Sequence, residues 1–377
     1  MNNDFRPGLE GVVASETRLS RVDGQRGELM IAGFPLEEIA GRATFEQMVY
    51  LLWHDRLPTD EEHLAFRHGL AARRALPAAT LDLLHAAAAR EVAPMEALRM
   101  ATSTLDLDDD VGGDDLSRST MILARLPVIV AAYWRLLQGE APVAPDEGLD
   151  HVTSYFTMLT GERPTPAQSR TLTTYLNTVI DHGLNASTFT ARVIVSTRSD
   201  FVSAITGALG ALKGPLHGGA PGPALEMVWE IGTPDRAEPV MREKLERGER
   251  LMGFGHRVYK VRDPRADVLA EAARHLFASD GDRDLYELAT HVEATALTLL
   301  EEYKPGHNLQ TNVEFYTALV LQGLGLPTAL FTPTFAIGRA AGWLAHCLEQ
   351  RAEGRLIRPE SRYVGREGRR WPDRVPA

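Results

Sequence analysis

The stretch Thr44-Phe-Glu-Gln-Met-Val-Tyr-Leu-Leu52 sets apolar side chains at positions 45, 48, 49, 51 and 52, behind a Thr suited to capping a helix. That is the i, i+3, i+4, i+7 spacing of a helix with one buried face. The same period returns along the chain. Leu64, Phe66, Leu70 and Ala71 follow Pro58-Thr59-Asp60, and Met121 to Leu137 is an apolar run that Pro127 is expected to kink or break. Ala167 to Ile180 carries Leu172, Tyr175, Leu176 and Val179 on one face. Val268 to Phe277, Leu285 to Leu300, Phe315 to Leu324 and Phe335 to Glu349 also read as helices. Strand signals are confined to Thr17 to Val22 and Gly27 to Ile31, which flank Asp23-Gly24 and predict one small hairpin. Nothing alternates strand and helix as a parallel sheet would, so the chain is mainly α. Gly207 to Pro223 is rich in Gly and Pro, interrupts the helical pattern and predicts a hinge or domain boundary.

Composition narrows the function. The 377 residues carry a net charge of −11 with 44% hydrophobic and 24% charged residues, which excludes a disordered chain and a generic basic nucleic-acid binder. Cys347 is the only cysteine, so no intrachain disulfide is possible. No secretory h-region opens the chain. The charge-free run Thr317 to Ile337 is long enough to span a bilayer, but its Gly and Pro content predicts two buried helices joined by a turn. The protein reads as cytoplasmic, with no nucleic-acid or membrane partner. The acidic run Asp106 to Asp110 lacks the Gly and Glu of a calcium loop and reads as a solvated connection. The tail Arg366 to Ala377 is polar and expected to be mobile or draped over a neighbour.

Four motifs carry chemistry. In Lys213-Gly-Pro-Leu-His217-Gly-Gly-Ala-Pro-Gly-Pro223, glycines let ligand and backbone approach the imidazole. A helix starting near Pro223 would turn its positive end toward His217 and keep the ring neutral, able to donate to an enolate oxygen. The alternative is a His in an ordinary turn. Leu251 to Arg265 places Gly253 and Gly255 before His256 among Arg257, Lys260 and Arg265, a bend suited to phosphate or carboxylate, or else a basic surface loop. It has neither Walker nor Rossmann spacing. Glu314, in Asn312-Val-Glu-Phe-Tyr316, is either decoration of a helix's first turn or a base of raised pKa among apolar neighbours. Finally, His182, Asn185 and Arg192 could line one helical face, or form a buried polar network. No metal-ligand spacing and no Gly-x-Ser-x-Gly elbow is present.

These motifs resemble the citrate synthase family. Gly253-Phe-Gly-His-Arg-Val-Tyr-Lys-Val-Arg-Asp-Pro-Arg265 is similar to the family's signature pattern, Gly214 to Ala220 to its second hallmark, and Asp181 to Arg192 to a third. Gly8 to Gly24, Thr332 to Trp343 and Ile357-Arg-Pro extend the likeness from about residue 8 to Gly365. The resemblance implies an all-α homodimer, with a large domain (1–218 and 326–377) and a small closing domain (219–325). It implies condensation of acetyl-CoA with oxaloacetate to citrate and CoA. Glu314 falls at the base, His217 at the donor to the thioester oxygen, and His256 at the donor to the oxaloacetate carbonyl. His182, Arg265 and Arg339 would hold the oxaloacetate carboxylates, and Arg358 would complete the partner's site. Phe254, Gly255, Arg257, Lys260 and Lys304 are expected to face coenzyme A. No cofactor is implied, since the coenzyme A ester is a substrate.

One residue departs from the family pattern: Glu314 stands where the usual base is Asp. The extra methylene moves the carboxylate by about 1 Å, enough to matter for rate, while basicity stays similar. Two other readings stay open, a 2-methylcitrate synthase using propionyl-CoA and a catalytically silent acyl-CoA-binding paralogue. The family's hexameric members carry extra N-terminal sequence responsive to NADH. This chain opens at the catalytic region, so a dimer without that control is expected. Three of only four lysines, Lys213, Lys260 and Lys304, fall near the proposed catalytic residues and suggest a positive cleft in an acidic shell.

Overall fold

The computed structural model describes residues 5–107, 113–218, 221–256, 258–280 and 282–370. Arg257, Gly219-Ala220, Asp108 to Asp110 and the tail from Trp371 lie outside the described residues. A three-stranded antiparallel sheet opens the chain: β1 (Ser20–Asp23), β2 (Glu28–Ile31) and β3 (Phe34–Pro35). β1 and β2 form the predicted hairpin, with Ser20 opposite Ile31; β3 is too short to have a period and was not foreseen. The rest is helical. α1 (Leu36–Ile39), α2 (Phe45–His54), α3 (Asp60–Ala71), α4 (Ala78–Ala88), α5 (Pro94–Thr102), α6 (Asp115–Leu137), α7 (His151–Thr160) and α8 (Pro166–Thr178) come first. Next are α9 (Ala186–Ser196), α10 (Phe201–Leu212), α11 (Pro221–Ile231) and α12 (Pro234–Glu246). α13 (Pro264–Ser279), α14 (Arg283–Tyr303), α15 (Val313–Gly323) and α16 (Phe331–Glu353) complete the order.

Local chemistry sets the helix starts. Thr44 caps α2 in a full capping box with Gln47, and Thr59–Glu62 and Thr165–Gln168 repeat the device at α3 and α8. Asp114, Asp150, Asn185 and Asp200 cap α6, α7, α9 and α10 through their side-chain oxygens. The Thr317 to Ile337 run is, as expected, the end of α15 and the start of α16 joined through a turn at Gly325-Leu326-Pro327. α6 is long and apolar enough to cross a membrane, yet 78% of that window is buried inside the protein, so it is a core helix.

Two sequence expectations need correction. Pro127 does not break α6, which continues from Asp115 to Leu137. Every residue from Ser119 to Tyr133 is buried, and that packing outweighs the roughly 3 kcal/mol penalty of an internal proline. The central interruption starts at Lys213 rather than Gly207, because Gly207 lies inside α10. A Cβ there would sit 2.3 Å from Ile194 Cδ1, so Gly207 lets α10 pack closely on α9.

α16 is the central strut, packing on α9, α6, α10, α2, α8 and α5. α13 bridges α8 and α15, while α12 packs on α14 and α11 on α15. Where α16 crosses the end of α8 the backbones touch through glycine. A Cβ on Gly342 would lie 2.2 Å from the Ile180 carbonyl oxygen and 2.9 Å from Asp181 Oδ1. Gly342→Ala is therefore expected to lower unfolding free energy by about 1–3 kcal/mol or more. Denaturant titration checks this, and a loss below about 0.5 kcal/mol, the usual surface range, would refute the close approach.

Candidate active site

The crossing of α16 with the α8–α9 connection meets the loops before α11 and α13, and the start of α15, around a cavity of about 270 Å³. His182, His217, His256, Arg265, Glu314 and Arg339 all line it. Six residues singled out in the sequence thus converge from five separate segments.

His256 sits on a loop shaped by Gly253 and Gly255, whose φ values of +88° and +82° few other residues adopt at low cost. The loop runs beside the segment entering α15: Gly255 N donates to Gln310 O (2.7 Å) and Asn312 N to Gly253 O (3.0 Å). Asn312 also donates from Nδ2 to Gly255 O (2.9 Å) and accepts from Glu314 N at Oδ1 (3.1 Å). One side chain thereby fixes the His256 loop against the turn that carries Glu314. From the far side, Lys260 N donates to Gly24 O (2.8 Å), so the tip of the N-terminal hairpin braces the same loop.

The proton on His256 can be located by counting. Nδ1 accepts from Val258 N (3.0 Å) and Tyr259 N (3.1 Å), so in the neutral ring the proton is on Nε2. The Arg265 Nη2 contact at 3.4 Å then joins two donors and is a near approach rather than a hydrogen bond. Burial, followed by the Arg265 charge, pulls His256 down to about 4, so the ring is neutral at pH 7. Nε2–H is thus a ready donor to an oxygen in the cavity.

His217 is lowered as well, by burial first and then by Arg339. Its Nε2 meets Ser187 Oγ at 2.8 Å. Ser187 donates from Oγ to Asn185 Oδ1 (2.8 Å) and accepts from Trp343 Nε1 (3.1 Å). Its one hydroxyl proton is thereby used, so in the neutral ring His217 Nε2–H donates to Ser187 Oγ. His182 is lowered well below its usual value by burial and the Arg265 and Arg339 charges, and its Nε2 pairs with Tyr259 Oη at 3.0 Å.

The charges favour an anion. Asp263 caps α13 and grips Arg265 with both oxygens, Nη2 to Oδ2 at 2.8 Å and Nε to Oδ1 at 3.1 Å. Arg339 donates from Nε to Val179 O (2.5 Å) and stacks 4.6 Å over the Phe335 ring. Burial pulls Arg339 down to about 10, although Asp181 opposes the change. Two buried guanidiniums thus line a cavity whose histidines are neutral, and their forked N–H groups suit a carboxylate ligand. Glu314 is raised above the carboxylate range because burial disfavours its anion, and its Oε2 has no hydrogen-bond partner. Among the described residues no cluster of three His, Cys, Asp or Glu side chains is arranged to hold a metal ion.

Residues 8–360 match the sequence family described as "Citrate synthase, C-terminal domain". The chain belongs to the citrate synthase family. It is 41% identical over 375 residues to the citrate synthase of Haloferax volcanii, covering 97% of both chains. It is 38% identical to the 2-methylcitrate synthase of Mycobacterium tuberculosis, covering 98% of this chain and 93% of that one. Citrate synthase from Pyrobaculum aerophilum has the same fold at a TM-score of 0.89 and 35% identity, over 97% of this chain and 93% of that one. Citrate synthase from Thermoplasma acidophilum was solved as a ternary complex with carboxymethyl coenzyme A and oxaloacetate. It gives a TM-score of 0.88 at 30% identity over 97% of each chain. The chain is accordingly an all-α transferase of the citrate synthase type.

Not every sequence-predicted residue reaches this citrate synthase cavity. Arg192 is buried elsewhere, bonded to Glu349 (2.5 Å), His346 (3.0 Å) and Gln350 (3.0 Å), so it is the polar-network reading that applies to it. His182 precedes α9 and Asn185 caps it, so the three do not share a helical face. Phe254, Gly255, Lys260 and Lys304 lie outside the cavity wall, and Arg358 is exposed in the extended segment after α16. Lys213 is ion-paired with Glu96 and adds little to a positive cleft. Sequence reasoning missed Ser187 and Tyr259, and gave Asn312 no role. Ser187 was within reach, five residues from His182 in a quoted motif; Tyr259 carries no signal without the fold.

The depressed histidines fix a pH dependence. A ring held neutral in the fold but free to protonate when unfolded draws protons to the unfolded chain. Stability from His256 is therefore complete above about pH 6.5, falls with pH, and levels off below about pH 4. Thermal unfolding from pH 7.5 to 4 should show this fall, and His256→Asn should make it shallower. An unchanged slope in the variant would refute the buried neutral ring.

Proposed function

We propose that this chain condenses acetyl-CoA with oxaloacetate and water to give citrate and CoA, in the cytosol and as a homodimer. The observation that carries the reading is the meeting of two neutral histidines, one buried carboxylate of raised pKa and two buried arginines around one small cavity. In this reading Arg339, Arg265 and His182 hold the oxaloacetate carboxylates, with Arg358 of the partner subunit completing the clamp. Closure of the 219–325 unit over the substrates excludes water.

Glu314 takes a proton from the acetyl methyl while His217 donates to the thioester oxygen, stabilising the enolate as charge develops. The methyl carbon then forms a bond to the oxaloacetate carbonyl carbon. His256 Nε2–H polarises that carbonyl and supplies a proton to the new alkoxide. Water finally attacks the citryl thioester, the C–S bond breaks and CoA leaves as the thiol. Phe254, Gly255, Lys260 and Lys304 belong to the coenzyme A side of the site in this reading, as does Arg257, which lies outside the described residues. A thiol-release assay with oxaloacetate tests the proposal. Turnover with acetyl-CoA should exceed that with propionyl-CoA. Preference for propionyl-CoA would overturn the substrate, and tight CoA binding without turnover would overturn the activity.

A further inference from the structure

Glu293 lies in the middle of α14, a helix that packs on α12, α13 and α11 and supplies none of the side chains lining the cavity. Its carboxylate accepts three hydrogen bonds. Oε1 takes Arg262 Nη1 (2.8 Å) and Thr311 Oγ1 (2.6 Å), and Oε2 takes Tyr316 Oη (2.5 Å). The donors come from the two segments that meet at the site. Arg262 directly precedes Asp263, which caps α13 and grips Arg265. Thr311 is paired in an isolated antiparallel bridge with Phe254, two residues before His256. Tyr316 stands near the start of α15, two residues after Glu314, and its ring lies 6.0 Å beneath the Arg262 guanidinium. Thr311 and Tyr316 are buried, so their hydroxyls depend on this acceptor in place of water.

The state of Glu314 gives this hub a bearing on the reaction. Glu314 Oε2 has no hydrogen-bond partner, while its backbone N–H is held by Asn312. The place of its carboxylate therefore depends on how the start of α15 is seated. Asn312 ties that turn to Gly255 (2.9 Å); Glu293 ties the next residues of the helix to Arg262 as well. We infer that Glu293 is a positioning residue that sets the spacing between Glu314 on one segment and His256 with Arg265 on the other. The inference rests on the reading of Glu314 as the base. It assigns the link to a carboxylate because only an acceptor with two oxygens can take a guanidinium and two hydroxyls at once.

Glu293→Gln keeps the size of the side chain but loses its charge and one of its two acceptor oxygens. A displacement of about 1 Å at reacting atoms can cost on the order of a hundredfold, and a smaller one here should lower kcat about tenfold. That value is taken per oxaloacetate-binding site, counted by calorimetric titration. The Kd for oxaloacetate should stay within about twofold, because Arg265 keeps both bonds to Asp263. Exchange of the acetyl methyl protons with deuterated water, with a 2-hydroxy dicarboxylate in the oxaloacetate site, should fall by the same factor as kcat. Tyr316→Phe removes only the arm to α15 and should reproduce most of the loss. Adding it to Glu293→Gln should cost less than about twofold more, since the two share one bond. A lower melting temperature with kcat per site within about twofold of wild type would show a structural role and overturn the inference, as would fully additive losses. If Glu293→Gln does not fold, Tyr316→Phe decides by the same measurements. Turnover retained by Glu314→Gln would instead remove the base, whatever Glu293→Gln does.

Discussion

Glu314→Gln should lower citrate formation by about 10²–10⁴-fold, the usual contribution of a positioned general base. The amide keeps the size of the side chain and its place in the first turn of α15, so the fold and oxaloacetate binding should persist. What is lost is, among the described residues, the one carboxylate lining the cavity that His217 and His256 also line. The step affected can be isolated. With a 2-hydroxy dicarboxylate in the oxaloacetate site, which cannot be attacked, wild-type enzyme should exchange the acetyl methyl protons with deuterated water. Glu314→Gln should not. Exchange at the wild-type rate would assign the base to another residue.

His256→Asn should be nearly as damaging to kcat, by about 10²–10³-fold, the scale of one lost donor to a developing oxyanion. Asn can still accept from the Val258 and Tyr259 amides through Oδ1, so the loop should keep its path. It lacks a ring N–H projecting into the cavity on the opposite side. The deficit should fall on carbon–carbon bond formation rather than on enolisation. Methyl exchange under the conditions above should remain within a few-fold of wild type while citrate formation collapses. Loss of both activities together would show that His256 serves the enolisation step or the loop's integrity, and the assignment would fall.

The fold class was legible because helix periodicity is a local property. Phe45, Met48, Val49 and Leu52 share a face whatever surrounds them, and Thr44 with Gln47 forms its capping box within one turn. Pro127 and Gly207 misled for the same reason. Each is locally a breaker, and each is overruled by partners far along the chain, the layers around α6 and Ile194 on α9. Among site residues, those embedded in Gly-flanked or charged motifs stood out: His217, His256, Arg265 and Glu314. Tyr259 did not, since a Tyr in a loop reads the same whether it packs or positions. The burial and the approach of Arg339 that lower His217 belong to the assembled fold and leave no mark in the local sequence.

The brace between Gly24 and Lys260 has a consequence for how the protein is made. The hairpin is synthesised first, but the loop it supports follows 236 residues later, and Glu349, which accepts from Arg18 N at 3.0 Å, is later still. At ribosomal speeds of about 5–20 residues per second, the hairpin waits on the order of ten to fifty seconds for its partner. A two-strand ribbon has little stability alone over that time. The cavity that holds His256 can therefore close only once nearly the whole chain has left the ribosome, and a nascent fragment has no partial activity to offer.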